Sequence, residues 1–247
     1  MTLSIIILFI LTLAGGLAVF IVPKFNSKYF QLSLVFAGSY LFSITIIHIL
    51  PELFSTKVAV NHLAFYVLLG FFIQVIIEYF TEGVEHGHLH HEGGNHHHQD
   101  HKWIGLLIAL CIHAFLEGTL LAHPQGLHNH ADNNSLFYGI LMHKIPAAFA
   151  LMSVLVCQFK SKLKTFLLLF IFSLASPVGI ISSTLLHENQ YFSEEFFAIL
   201  FAIVSGNFLH ISTTIFFESS PNHNFSGRKL FVAAGAAIIA MLAEFWT

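Results

Sequence analysis

Two short stretches of this chain hold residues that can do chemistry where holding them is costly. One reads His113-Ala114-Phe115-Leu116-Glu117-Gly118, the other His143-Lys144-Ile145-Pro146. Each lies near the middle of an apolar run long enough to cross a bilayer. A centred lysine or aspartate costs about 2.5–3.5 kcal/mol by insertion scales, so such residues mark a polar site inside the membrane. On a helix, His113 and Glu117 are one turn apart, about 6 Å along the axis, and face the same way. His143 precedes Pro146, which cannot donate to the carbonyl of Met142 and so kinks or loosens its helix there. Two imidazoles and a carboxylate on facing helices form a ligand set for Zn²⁺ or Fe²⁺. Three protein ligands leave a fourth position open, which suits a site that loads and releases. The alternative is an internal hydrogen-bond cluster that holds helices together. Lys144 needs a counter-charge at this depth, and Glu117 is the candidate. Such a lysine stands where a second cation would otherwise bind, and limits the site to one metal. Its alternative is a purely structural salt bridge.

The elements that position these residues are membrane helices. Of the 247 residues, 56% are hydrophobic and 9% charged, against about 25% charged in a soluble domain. The net charge of -3 gives no reason to expect nucleic acid as a partner. Histidine is the anomaly, with 18 against 10 Lys plus Arg. Cys111 and Cys157 fall inside apolar runs and read as reduced core residues rather than a disulfide. The expected fold is all-α, a single transmembrane domain over 1–247 with eight spans near 3–22, 30–54, 62–81, 103–122, 135–157, 165–186, 196–217 and 230–246. Helices are the form that satisfies backbone groups in lipid. The first run has no positive stretch before it and no small-residue cleavage site after it, so it reads as a retained helix.

Basic residues set the topology. Lys24 and Lys28 lie in the first loop, Lys102 ends the third, Lys160, Lys162 and Lys164 fill the fifth, and Arg228 and Lys229 end the seventh. Only Lys57 lies in an even-numbered loop. Odd loops are therefore expected on the cytoplasmic side and both termini outside. Residues 82–102 form a low-complexity cytoplasmic segment with His86, His88, His90, His91, His96, His97, His98 and His101. Its composition cannot build a packed core, and its imidazoles suit weak, multiple binding of borderline divalent metals.

Further polar residues sit at other depths. His48 and Glu52 share a face at the outer end of span two and form a candidate entry group. Asn207 and His210 share a face of span seven, which ends at Glu218, a candidate exit group. His123, His128, His130 and Asp132 lie in the outer loop between spans four and five, where they could collect metal. Ser176-Pro177-Val178-Gly179 breaks span six and permits close approach or bending. Small residues Ala233 to Ala237 in the last span suit close packing or a homodimer contact.

Together these residues resemble the ZIP (Zrt/Irt-like) family of divalent-metal transporters, of bacterial type. The resemblance rests on the span pattern, the histidine loop, His48-Ile49-Leu50-Pro51-Glu52, Pro177-x-Gly179 and the Gly206–Glu218 stretch. Its most specific parts are His113, Glu117 and Gly118 in span four and His143 and Pro146 in span five. The departures are Ala114, Lys144 and Ala147, at positions the resemblance assigns to a second metal or to bridging two. It implies an inverted repeat, helices 1–3 and 6–8 around 4–5, and alternating access by movement of a bundle containing spans four and five. It also implies uptake of Zn²⁺, or of Fe²⁺ or Cd²⁺, across a bacterial cytoplasmic membrane, with the metal as substrate and no cofactor required. The chain thus reads as a transporter rather than an enzyme. The His-Glu-x-x-His signature of a metalloprotease is absent. A metal exporter stays open, because ligands do not fix the direction of flux. So does a membrane haem protein using His113 and His143 as axial ligands.

Overall fold

A computed structural model describes residues 2–21, 27–81, 102–122, 133–188, 192–218 and 226–246. The described residues are almost entirely helical and form eight long helices. They are α1 (Thr2–Leu17), α2 (Ser27–Ile44), α3 (Val60–Thr81), α4 (Lys102–Leu121), α5 (Asn133–Gln158), α6 (Lys162–Glu188), α7 (Glu194–Glu218) and α8 (Gly227–Trp246). A 3₁₀ turn, Ala18–Phe20, extends α1. A π-helical turn, Thr45–Ile49, and a last helical segment, Leu50–Phe54, extend α2. Pro51 explains the π turn, because it lacks an N–H and its ring crowds the carbonyl four residues back, opening the ladder there.

Seven of these helices are long and apolar enough to cross a membrane. The eighth, α8, has 20 residues but carries Arg228 and Lys229 in its first turn and Glu244 near its end. Large apolar side chains cover the outside of the molecule, among them Ile10, Phe65, Phe72, Ile76, Leu167, Ile171, Phe231 and Leu242. In water such a surface would aggregate; in lipid it is the expected outer face. The chain is a multi-pass membrane protein.

Helix contacts divide the molecule into two groups of four. In one, α1 packs on α5 and α6, and α4 packs closely on α6. In the other, α3 packs closely on α7, and α2 on α8 and α7. The groups meet mainly where α2 faces α5 and α3 faces α4. Each group contains one crossing that only glycine permits. A Cβ on Gly70 of α3 would lie 2.0 Å from the Ile203 carbonyl oxygen, and one on Gly206 of α7 would lie 1.9 Å from that of Val67. In lipid, where apolar burial gains little, such close backbone approach is a main source of helix association. Gly206→Val is therefore expected to lower the melting temperature of the purified protein markedly. Over-packing costs about 1–3 kcal/mol where the structure can yield, and here the obstacle is backbone. An unchanged melting temperature would contradict the crossing.

Hydroxyls inside the helices satisfy themselves on the preceding turn. Thr12 donates to the Leu8 carbonyl at 2.6 Å, Ser39 to Val35 at 2.6 Å, Ser205 to Phe201 at 2.7 Å and Ser212 to Phe208 at 2.6 Å. This back-bonding lets small polar residues line helix contacts without leaving an unmade bond. At one rim of the molecule, Lys164 sits 3.9 Å from the Phe159 ring centre and 5.5 Å from that of Trp103. An aromatic and lysine cluster of this kind suits the headgroup level of a bilayer.

Candidate metal centre

The centre is built on α4 and α5, with α6 behind them. Cα spacing on α4 puts His113 and Glu117 on one face, and the structure places His113 Nε2 3.0 Å from Glu117 Oε1. The proline of α5 does not interrupt it, since Asn133–Gln158 runs through Pro146 as one helix. His143 meets His113 across the α4–α5 contact, their rings edge to face with centres 5.9 Å apart. The ligand atoms of His113, Glu117 and His143 all lie within 4.8 Å of one another. Among the described residues, this is the group of three whose ligand atoms converge closely enough to share one ion. Exposure is 4% for His113, 1% for Glu117 and 1% for His143.

Lys144 belongs to the same cluster. Its Nζ donates to Glu117 Oε2 at 2.6 Å and lies 5.6 Å from the ring centre of Phe172 on α6. One carboxylate oxygen of Glu117 thus faces an imidazole and the other an ammonium. The ion pair is buried, with side chains 1% and 2% exposed. It makes the group neutral when both histidines are neutral, so the lysine holds a positive charge beside a three-ligand pocket. Ala114 and Ala147 are buried beside it and offer no ligand atom.

The α4–α6 crossing fixes how α4 presents its ligands. A Cβ on Gly118 would lie 2.2 Å from the Ser176 carbonyl oxygen, and one on Gly179 would lie 2.2 Å from that of Phe115. Ser176 also donates its hydroxyl to the Ala114 carbonyl at 2.5 Å. Residues 114 to 118 are thereby held against α6 at both ends of the stretch that carries Glu117. The Ser176–Gly179 motif acts as a close-contact site here, and Pro177 sits inside a continuous helix.

The other sequence candidates fall elsewhere. His48 and Glu52 do face each other, with Nε2 3.5 Å from Oε2. A third member comes from α8, as Glu244 Oε1 lies 2.7 Å from His48 Nδ1. Asn207 turns to α3, where its amide nitrogen donates to the Gly70 carbonyl at 2.6 Å beside the glycine crossing. His210 pairs through Nε2 with Glu78 of α3 and stands edge-on to Phe71. Sequence reasoning does not single out Glu78 and Glu244 as partners of these histidines. Each was visible as an acidic residue inside an apolar span, but its partner is distant in sequence. The side chain of Glu218, and the loop residues His86, His88, His90, His91, His96, His97, His98, His101, His123, His128, His130 and Asp132, lie outside the described residues. Cys111 and Cys157 are both free thiols.

The chain is similar to known proteins. The family model described as ZIP Zinc transporter matches residues 85–243, more than half of the chain, from the segment before α4 into α8. A curated relative, Protein zntD of Dictyostelium discoideum, is 32% identical over 122 residues. That match covers 48% of this chain and 17% of the relative's length, so the chain spans a minor part of that protein. Eight helices, a buried two-histidine, one-carboxylate cluster on α4 and α5, and the family match over 85–243 lead to one assignment: the chain belongs to the ZIP zinc transporter family.

Proposed function

We propose that the chain carries a divalent transition metal, Zn²⁺ foremost, across a cytoplasmic membrane into the cytoplasm through a single-metal site formed by His113, Glu117 and His143. The observation that carries this reading is the convergence of those three ligand atoms within 4.8 Å in a place sheltered from solvent. Nitrogen ligands select Zn²⁺, Fe²⁺ or Cd²⁺ over Mg²⁺ and Ca²⁺, which favour all-oxygen sites. Burial sets the cost of loading. An ion must shed most of its water to enter, so the ligands must replace the lost hydration, and the open fourth position lets one water remain.

The two-group packing suggests how access alternates. The metal ligands sit entirely in the α1–α4–α5–α6 group, and α2, α3, α7 and α8 form a second body against it. Sliding of the first group along the second would carry the site from one face to the other. Inward flux fits the topology expected from the basic residues, with the termini outside and the histidine-rich segment 82–102 in the cytoplasm, where it would meet arriving metal.

Uptake of ⁶⁵Zn²⁺ by vesicles reconstituted with the purified protein tests the reading. His113→Ala and His143→Ala are expected to reduce the initial rate at least tenfold, each by removing one of three ligands. Wild-type rates in both variants would remove the site from the transport path.

A further inference from the structure

We propose that the first turn of α6 and the lysine turn before it form a docking site for an anionic phospholipid. Lys160, Lys162 and Lys164 hold the headgroup phosphate, and apolar side chains beside them hold an acyl chain. This goes beyond the transport reading, because it concerns a lipid partner at the rim of the bundle, apart from the metal ligands.

Charge sets the choice of lipid. The three lysines lie within residues 160–164 and are all exposed. Among the described residues, no carboxylate forms an ion pair with any of them. Two of them rest on aromatic rings instead. Lys164 Nζ lies 3.9 Å from the ring centre of Phe159 and 5.5 Å from that of Trp103, and Lys162 Nζ lies 5.9 Å from that of Phe20. A ring face attracts an ammonium through its quadrupole but brings no counter-charge. The rings therefore fix where the ammonium groups sit and leave their positive charge in place. Lys144 shows the contrast, since its charge is met by Glu117 at 2.6 Å.

Placement fits a membrane ligand. The rings come from the ends of the other three helices of the α1–α4–α5–α6 group. Phe20 closes the 3₁₀ turn after α1, Trp103 lies in the first turn of α4, and Phe159 follows α5. Trp103 and Phe159 stand edge to face, with ring centres 4.8 Å apart. Tryptophan and lysine at helix ends mark the headgroup level, and the basic residues put this rim on the face expected to be cytoplasmic, where anionic lipids collect. Leu163, between two of the lysines, is 68% exposed, and Leu167, one turn further along α6, is 50% exposed. Ammonium groups next to open apolar surface match an amphiphile with a charged head and a hydrocarbon tail. A free phosphate would use only the lysines, and a zwitterionic lipid would leave their charge unmet. Lipid held here grips the helix group that bears His113, Glu117 and His143.

Tryptophan fluorescence tests this on the full chain. Trp246→Phe leaves Trp103 as the one tryptophan of two. The protein is reconstituted in phosphatidylcholine vesicles containing either brominated phosphatidylglycerol or brominated phosphatidylcholine, and quenching by each lipid gives their relative binding. A preference of about tenfold for phosphatidylglycerol is expected. It should fall to near parity in 1 M salt, where screening acts over about 3 Å. Lys160→Gln, Lys162→Gln and Lys164→Gln combined should also bring it to parity. Equal quenching by the two lipids with the lysines intact overturns the proposal, and so does a preference that the triple substitution leaves unchanged. Unlabelled phosphatidylglycerol should relieve the quenching and soluble glycerol 3-phosphate should not. Equal relief by both would make this a site for free phosphate and overturn the lipid assignment. The salt series uses intact lysines, so it decides the matter even if the triple variant fails to fold.

Discussion

Glu117→Ala is expected to abolish transport and to destabilise the protein, and the two losses should be separable. Glu117 is the one carboxylate among the three converging ligands, so its removal leaves two neutral imidazoles to strip water from a doubly charged ion. It is also the partner of Lys144 at 2.6 Å. Removing one member of a buried ion pair strands the other, which costs about 3–5 kcal/mol. In a chain of ordinary stability that is a large share of the total. The double variant Glu117→Ala with Lys144→Met removes both charges and keeps an apolar chain of similar length. It should regain most of the lost melting temperature and still show no ⁶⁵Zn²⁺ uptake. Recovery of transport in the double variant would mean that Glu117 serves only to neutralise the lysine. Failure to recover stability would mean that the carboxylate contributes more through His113 than through Lys144.

The residues of this centre were legible in the sequence because charge inside an apolar span is conspicuous. His113, Glu117, His143 and Lys144 stand out against their neighbours, and the spacing of His113 and Glu117 dictates a shared face. The pairing of Lys144 with Glu117 followed from the need for a counter-charge, and the structure shows that contact. The spans were legible for the same reason in reverse, since long apolar runs admit few alternatives. What the sequence did not reveal is which helices meet. In a soluble helix the apolar stripe marks the buried face, but here both faces are apolar. On α3, the large side chains Phe65, Leu68, Phe72 and Ile76 face outward, while Gly70 and Gln74 are buried. The informative residues are therefore the small and polar ones, and their partners, such as Ile203 for Gly70, lie more than a hundred residues away. Glu78 with His210 and Glu244 with His48 escaped notice for that reason. The π turn was hidden because Pro51 permits several local solutions, and the packing of α2 selects one.

Lys144→Glu is expected to raise the number of Zn²⁺ ions bound at the centre from one to two. The lysine ammonium already occupies the space beside Glu117 Oε2 where a bridging ion would sit, and its charge repels any ion placed near it. At about 4 Å in a partly shielded interior, two like charges repel by several kcal/mol. Ala114 and Ala147 offer no ligand there, and the Lys144 ammonium is ion-paired with Glu117. Exchanging it for a carboxylate turns a neutral group into one with a charge of -2 and supplies a new oxygen next to Glu117. The empty variant should then be unstable, because two buried carboxylates face each other without a cation. Zn²⁺ should restore it, with a melting temperature that climbs as metal rises, since a ligand at a hundred times its Kd adds about 2.7 kcal/mol. Wild-type protein should show a smaller climb, because Lys144 already supplies part of the stabilising charge. Dialysis of Zn²⁺ against protein whose histidines at 86–101 and 123–130 are replaced by glutamine, compared with the same protein carrying His113→Ala, reads the stoichiometry at the centre. One ion in both proteins would mean that the geometry of α4 and α5, rather than the charge of Lys144, limits the centre to a single metal. Two ions in Lys144→Glu alone would identify the lysine as the residue that makes the site mononuclear.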